Sequence, residues 1–232
     1  MKIRQLTLYL LIALFSLGAA TEVVAKKKEE LPEVTVDGLH RVPDSKLAIV
    51  YAEPGASLAP YKRIQLLDAY VAFKKNWQRD QRRSSADRLG VNTRDMEKIK
   101  TTLTQEFRLV FTAALQDAGY ELTDESAEDV MIIRPAIINL DVNAPDTPRA
   151  GRSRTYTASA GEMTLYIELW DSLTGDIFAK ALDRQGDNAY SGFYTWTNSV
   201  TNKAAADRIL KGWAKILVNA LNEAKTSMPE SQ

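Results

Sequence analysis

The sequence contains no cysteine and only one histidine, His40, among its 232 residues. The missing cysteine excludes disulfides, thiol catalysis and zinc sites with cysteine ligands. A bacterial lipid anchor is attached to a cysteine at the new amino terminus, so we expect no lipid anchor on this chain. His40 lies ahead of the predicted core, which excludes a histidine-activated nucleophile and a metal site with several histidine ligands.

Motifs of several enzyme classes are also missing: the Gly-x-Ser-x-Gly elbow, the Ser-x-x-Lys pair, the phosphate loop and the dinucleotide fingerprint. The segment from Asp171 to Asp176 has two acids and Gly175, but not the alternating ligands and bidentate glutamate of a calcium loop. We interpret it as a hairpin turn. We therefore expect no enzyme, cofactor or metal. A hydrolase with paired carboxylates is the alternative, because acids distant in sequence can meet in space.

The chain has no excess of either charge, since it holds 30 Lys and Arg residues and 30 Asp and Glu residues. Residues 1–25 include Lys2, Arg4 and Glu22, so 28 basic and 29 acidic residues follow them. This balance is not that of a general nucleic-acid binder, and we expect no nucleic-acid partner. The 207 residues after position 25 are enough for one domain with its own core.

The first 25 residues follow the pattern of a secretory signal peptide. Lys2 and Arg4 form the positive region, Leu6–Leu17 the apolar region, and small residues allow cleavage after Ala25. We therefore expect export to the periplasm. The alternative is an uncleaved anchor in the inner membrane, because the uncharged run Gln5–Thr21 has 17 residues, at the lower end of what spans a bilayer.

The rest of the chain alternates between strand and helix patterns after a mixed segment, residues 26–45, that we expect to be a flexible lead. The predicted strands are Leu47–Tyr51, Arg63–Phe73 with a bulge at Leu67-Asp68, Tyr120–Leu122, Val130–Val142, Glu162–Asp171 and Ile177–Asp183. In the fifth of these strands, Met163, Leu165, Ile167 and Leu169 point one way. Pro135 lacks a backbone donor and predicts an edge or bulged position for its strand.

Two helices are indicated by apolar residues at steps of three and four. They are Thr93–Ala118, with Asn92 or Thr93 as a cap and Gly119 as its stop, and Lys203–Lys225. Strands and two long helices predict an α+β fold, an antiparallel or mixed sheet with both helices packed on it. One domain should cover residues 46–226, and residues 227–232 should form a disordered tail.

The basic stretch of residues 74–94 is the first candidate for binding, and its site residues are Trp77, Arg79, Arg82, Arg83 and Arg88. Its local charge is an excess of five positive charges. Arginine makes bidentate contacts to anions and tryptophan favours interfaces, so an anionic headgroup, a lipopolysaccharide phosphate or an acidic partner would fit. The alternative is a solvated connector without a ligand.

A second candidate is the aromatic cluster Tyr190, Phe193, Tyr194 and Trp196 in a polar loop before the last helix. Aromatic side chains on a loop indicate a contact surface. Rings at such a crossing can equally close the end of a sheet.

Several local motifs in a fixed order resemble one family of bacterial exported proteins. They are Asp37-Gly38-Leu39, the run from Glu53-Pro54-Gly55 to Lys62, and the run from Leu169 to Asp176 followed by Asp183-Arg184. Over about Val36 to Asn222 the chain resembles domain of unknown function family 3313. The resemblance implies an envelope protein without an assigned reaction or catalytic residues. Members often look like lipoproteins, and this chain departs from them by lacking the cysteine.

Three functional hypotheses follow from the sequence. The first is a non-catalytic binding or accessory module whose partner is an envelope protein or an anionic envelope component. The second is a carrier or sensor of a small amphiphilic ligand held between helices and sheet. The third is the periplasmic hydrolase with paired carboxylates.

Overall fold

A computed structural model of the chain describes residues 31–84, 91–142, 156–157, 161–186, 195–196 and 199–226. The predicted signal peptide with its cleavage site and the predicted tail, residues 227–232, lie outside these ranges. One compact unit begins at Pro32. No helix in the described ranges is both long and apolar enough to cross a membrane.

The described residues form ten strands and three helices. The strands are β1 (His40–Arg41), β2 (Ile49–Ala52), β3 (Arg63–Leu66), β4 (Tyr70–Phe73), β5 (Glu121–Leu122), β6 (Val130–Val142), β7 (Tyr156–Thr157), β8 (Gly161–Asp171), β9 (Ile177–Gly186) and β10 (Thr195–Trp196). The helices are α1 (Trp77–Ser84), α2 (Thr93–Asp117) and α3 (Ser199–Thr226). This content confirms the predicted α+β fold.

Eight strands make one mixed sheet in the order β1-β2-β9-β8-β6-β3-β5, and β4 also pairs with β6. The long strand β6 is antiparallel to β8 on one side and parallel to β3 and β4 on the other. The strands β7 and β10 form a separate antiparallel pair. Two further long strands, β8 and β9, are joined by the predicted hairpin, in which Gly175 has a φ of 72°.

Strand β6 is central in the sheet and its register with β8 is continuous through Pro135, shifting only between Ile138 and Asp141, so the edge or bulged position predicted for Pro135 is wrong. The backbone N–H of Leu67 donates to the carbonyl of Ile133 at 3.0 Å. Because alternate residues of a strand direct their backbone groups to the same side, the nitrogen of Pro135 points to that side as well. There β3 pairs with residues up to Ile133, and β4 begins opposite Ala136. The missing donor therefore faces the gap between two strands, where it removes no ladder bond.

The same gap corrects the prediction of a single bulged strand over residues 63–73. Residues 67–69 separate two strands that both run parallel to β6. The register shift lies within β4, between Val71 and Phe73. The exposed pair Leu67-Asp68 therefore marks a break between strands instead of a bulge inside one.

The core lies between one face of the sheet and the helices α2 and α3. Alternate residues of β8 face it as predicted, and Met163, Leu165, Ile167 and Leu169 are all buried. The helices contribute buried residues at helical spacing; these are Leu103, Phe107, Val110, Phe111, Leu115, Leu210, Trp213, Ala214, Leu217 and Leu221. Packing of both helices on one sheet face positions every surface considered below.

The helices α2 and α3 run in the same direction. Lys203 near the start of α3 forms an ion pair of 3.1 Å with Glu106 in the middle of α2. Near the end of α3, the Lys225 ammonium lies 3.8 Å from the ring centroid of Tyr120, just beyond α2. Asn92, one of the two predicted caps, caps the start of α2 and forms a capping box with Asp95.

The lead is ordered from Pro32 onward, contrary to its prediction as a flexible segment up to residue 45. The side chain of Leu39 is 1% exposed, and β1 adds to the sheet beside β2. The hydroxyl of Tyr51 donates to the carbonyl of Pro32 at 2.7 Å, and Lys180 forms an ion pair with Asp37. These contacts and a turn at Gly38, with a φ of 81°, fix a segment that lacks periodicity.

Candidate functional site

The basic stretch contains a short helix, α1, that sequence periodicity does not indicate. Trp77 at its start is 3% exposed, and its ring stacks on Phe73 with 4.2 Å between centroids and 22° between planes. The indole Nε1 donates to the carbonyl of Val142 at 3.2 Å. Trp77 is therefore a core residue, and its predicted role as an exposed interfacial anchor is wrong.

Two glutamines fix the same inward side of α1. Gln78 Nε2 donates to the carbonyl of Val91, just ahead of α2, at 3.1 Å, and Gln81 Nε2 donates to the carbonyl of Val142 at 3.0 Å. With Trp77, these contacts hold α1 against the end of β6 and the start of α2. The rotation of α1 about its axis is thereby fixed.

The outward side of α1 carries Arg79, Arg82 and Arg83, which we call the arginine face. Residues three and four apart are neighbours on a helix surface, so these three guanidinium groups lie on one side. All three are exposed. Arg79 forms an ion pair with Asp80 at 3.1 Å. Neither Arg82 nor Arg83 forms an ion pair within the described ranges. Arg88, the remaining predicted residue of this site, lies outside the described residues.

Two further cations flank the arginine face. Lys75 is exposed just ahead of α1, and Arg94 is exposed in the first turn of α2. The bond from Gln78 to Val91 brings that turn of α2 to the side of α1.

Apart from Asp80, which pairs with Arg79, two acids near this end of the domain are engaged by groups outside the arginine face. Lys74 forms a bond of 2.8 Å to Asp141, which raises the pKa of Lys74, and Glu162 lies 3.9 Å from the same ammonium. Glu162 also accepts from Arg184, whose pKa it raises. These acids compensate Lys74 and Arg184, so the charge of the arginine face is not cancelled by them.

The predicted aromatic surface is described only in part. Tyr190, Phe193 and Tyr194 lie outside the described residues. The backbone of Trp196 lies in β10 and pairs with Tyr156 of β7. The contact surface at this position stays a prediction.

A polar cluster on the sheet face opposite the helices was not predicted as a unit. Glu168 of β8 accepts hydrogen bonds from the Tyr166 hydroxyl and from Trp170 Nε1, the latter at 3.1 Å. Arg134 of β6, its register partner, approaches the same carboxylate at 3.6 Å. Burial and then the bond to Glu168 raise the pKa of Tyr166. The alternation of β8 predicts that Tyr166, Glu168 and Trp170 share one face. Arg134 joins them only through the pairing of β6 with β8, which the sequence does not reveal.

Each buried carboxylate in the described ranges has an identified structural partner. Asp171 accepts from the Tyr61 hydroxyl at 2.5 Å and from two backbone N–H groups of the hairpin, and Asp183 accepts from Trp213. No group of three or more His, Asp and Glu residues with metal-binding geometry occurs in the described part of the chain. The exposed arginine face is the candidate binding site.

The family model for DUF3313, described as a protein of unknown function, matches residues 35–217. No curated protein matches the chain.

Several solved structures show a similar arrangement at low identity. A protein from Xanthomonas campestris assigned to DUF330 is 12% identical, covers 74% of this chain and 87% of its own, and has a TM-score of 0.43. A PelC dodecamer from Paraburkholderia phytofirmans is 12% identical over 72% of this chain and 95% of its own, with a TM-score of 0.37. A minor lipoprotein from Acinetobacter baumannii is 10% identical over 69% of this chain and 94% of its own, with a TM-score of 0.35.

Proposed function

We propose that this chain, which belongs to the DUF3313 family of proteins of unknown function, is a non-catalytic accessory module of the bacterial cell envelope. Its ligand in this proposal is a surface of phosphate-bearing lipid headgroups. The secretory pattern of residues 1–25 supports the location. The arginine face of α1 supports the ligand.

The observation that carries the proposal is the orientation of α1. Trp77, Gln78 and Gln81 hold the helix from the inside, so the three arginines are presented outward without further folding. A guanidinium group binds a phosphate through two parallel hydrogen bonds and is weakly hydrated, which favours contact with a headgroup.

The shape of the site favours a charged surface over a single enclosed anion. The side chain of Arg79 is 54% exposed, and Arg82 and Arg83 are exposed on the same side of an eight-residue helix. A convex row of cations gains from many phosphates in one plane, as at an anionic bilayer.

Vesicle binding of the purified chain tests the proposal. The vesicles are phosphatidylcholine with or without phosphatidylglycerol, and binding is measured by co-sedimentation at low and physiological salt. The test variant is Arg79→Ser/Arg82→Ser/Arg83→Ser. The matched control, Arg41→Ser/Lys46→Ser/Lys62→Ser, removes the same charge from exposed positions on other elements.

We expect the test variant to lose about 100-fold in affinity for phosphatidylglycerol vesicles, since each cation near an anionic surface contributes about 1 kcal/mol. The control should retain most of the binding, and salt should weaken the binding of the wild-type chain. Equal losses in both variants would contradict a specific face. Full competition by free inorganic phosphate at equivalent phosphate concentration would contradict a surface ligand, and would indicate a single-anion site. Absence of vesicle binding by the wild-type chain would overturn the proposal.

A further inference from the structure

A shallow apolar groove of about 450 Å³ runs between α2 and α3 on the side of the helices that faces away from the sheet. The apolar part of its lining comes from both helices and consists of Leu109, Val110, Ala113, Ala114, Ala214 and Val218. The alanines leave the groove open because they bring no bulk to the line where the two helices meet. The binding of lipid headgroups proposed above makes no use of this surface.

One large apolar side chain stands beside the groove without cover. Leu109 is 64% exposed on α2, one turn from Ala113. A leucine exposed next to an apolar groove can be buried with it only by a partner that brings a complementary shape. The arrangement of one projecting side chain beside one depression has the self-complementary character of an isologous interface.

The rim of the groove carries both charges in equal number. Asp117 lies on α2, and Asp207, Lys211 and Lys215 lie on α3. Asp207 and Lys211 form an ion pair of 2.9 Å within α3. In the described ranges neither Asp117 nor Lys215 takes part in an ion pair, and both are exposed. One unpaired acid on one helix and one unpaired base on the other match a second copy of the same surface.

We infer that a second copy of this chain docks on the α2–α3 groove to form a two-fold symmetric dimer. Leu109 of each copy packs on the apolar groove of the other, and Asp117 of each copy faces Lys215 of the other. A strongly acidic or strongly basic partner would gain nothing at this neutral rim, since every attraction would be offset by a repulsion of similar size. A second copy gains both ion pairs at once.

Sedimentation equilibrium of the purified chain over a range of concentrations tests the dimer. We expect a concentration-dependent dimer for the wild-type chain and a monomer for Leu109→Asp. The matched control is Leu173→Asp, because Leu173 is also an exposed leucine, 56% exposed in the turn between β8 and β9. It should dimerise as the wild type does. A monomeric wild type, or equal dimerisation of Leu109→Asp and wild type, overturns the inference.

Charge reversal identifies the surface independently of the apolar contact. Asp117→Lys and Lys215→Asp should each raise the dimer dissociation constant by about tenfold, since each brings like charges together. The double variant Asp117→Lys/Lys215→Asp restores opposite charges and should return to within about threefold of the wild-type constant. These positions are exposed, so circular dichroism should show an unchanged fold. A double variant weaker than either single variant contradicts the proposed pairing.

Discussion

The indole Nε1 of Trp213 in α3 donates a hydrogen bond of 2.7 Å to Oδ2 of Asp183 in β9. Both residues are buried. The other oxygen of the same carboxylate accepts from the backbone N–H of Ala48, ahead of β2, at 3.1 Å, and Gln185 Nε2 donates to Oδ2 at 2.8 Å. One carboxylate therefore connects a helix, the strand that bears it and the chain entering the neighbouring strand.

Replacing Asp183 by alanine should lower the free energy of unfolding by about 2 to 4 kcal/mol. The change leaves the buried N–H of Trp213 without an acceptor, at about 1 to 3 kcal/mol, and removes the bond to the exposed Ala48, whose N–H water can satisfy, at about 1 kcal/mol. Urea unfolding followed by circular dichroism measures the loss. Asp124→Ala, at an exposed loop position, is the control and should change stability by less than about 0.5 kcal/mol. Equal stability of the two variants would contradict a structural role for this carboxylate.

The bond between Tyr61 and Asp171 predicts loss of stability at both ends of the pH range. The hydroxyl of Tyr61 and then the backbone N–H groups lower the pKa of Asp171, so its contribution is complete above about pH 4 and is lost in acid. Burial and then Asp171 raise the pKa of Tyr61, so its contribution is complete below about pH 10 and is lost in alkali.

Tyr61→Phe removes this shared bond and should flatten both limbs of the stability profile. At neutral pH it should cost about 1.5 to 3 kcal/mol, the usual range for a hydrogen bond to a charged group. The measurement is the urea midpoint from about pH 3 to about pH 11. Tyr70→Phe is the matched control, because Tyr70 is 67% exposed. A variant that keeps the wild-type pH slopes would show that other groups cause them.

Because Trp77 is buried, its removal should lower the stability of the fold and not only the binding of a ligand. Trp77→Ala should lower the free energy of unfolding by about 3 to 5 kcal/mol, as expected for a large ring deleted from a core. Arg82→Ser and Arg83→Ser should leave it within about 0.5 kcal/mol of wild type, since both are exposed. Thermal and urea unfolding of the three variants distinguish the effects. If Trp77→Ala were as stable as wild type, the buried position of Trp77 would be contradicted.

Gly161 at the start of β8 should not tolerate a side chain. Its φ is 147°, and a Cβ there would lie 2.1 Å from the carbonyl oxygen of Asp141. Gly161→Ala should therefore destabilise the fold by at least about 1 kcal/mol. Gly212→Ala in α3 meets no atom within 4 Å and should stabilise it by about 0.5 to 1 kcal/mol. Relative to wild type, the unfolding midpoint should fall for Gly161→Ala and rise for Gly212→Ala. Equal midpoints would contradict the close approach of β6 and β8 at this position.

Elements with strong periodicity were predicted from sequence almost to the residue. Strand β6 spans Val130–Val142 as predicted, and α2 ends one residue before its predicted limit of Ala118. The local pattern is sufficient to assign these elements, because a long run of apolar residues fits the repeat of a helix or that of a strand but not both. The place of β6 in the sheet was predicted wrongly, since the effect of Pro135 depends on a gap between two strands about 70 residues earlier in the chain.

The sequence predicted the positive charge of the candidate site but not the helix that orients its arginines. The count of arginines in residues 74–94 is a property of composition, and it indicated a basic surface. The helix that orients them has one apolar residue, Trp77, and its outward side is set by carbonyl acceptors at Val91 and Val142. Contacts of this kind are tertiary, so no local pattern in residues 74–94 could distinguish an exposed tryptophan from a buried one.

The pairing of β2 with β9 joins residues that the ribosome makes far apart in time. Ile49 pairs with Leu182, and at about 5 to 20 residues per second the second strand follows the first by roughly 7 to 27 seconds. During that interval β2 has its short neighbour β1 but not β9, so the edge that β9 will cover is open to wrong partners. The strand that is made early is completed late, and this long separation in sequence slows the closing of the sheet.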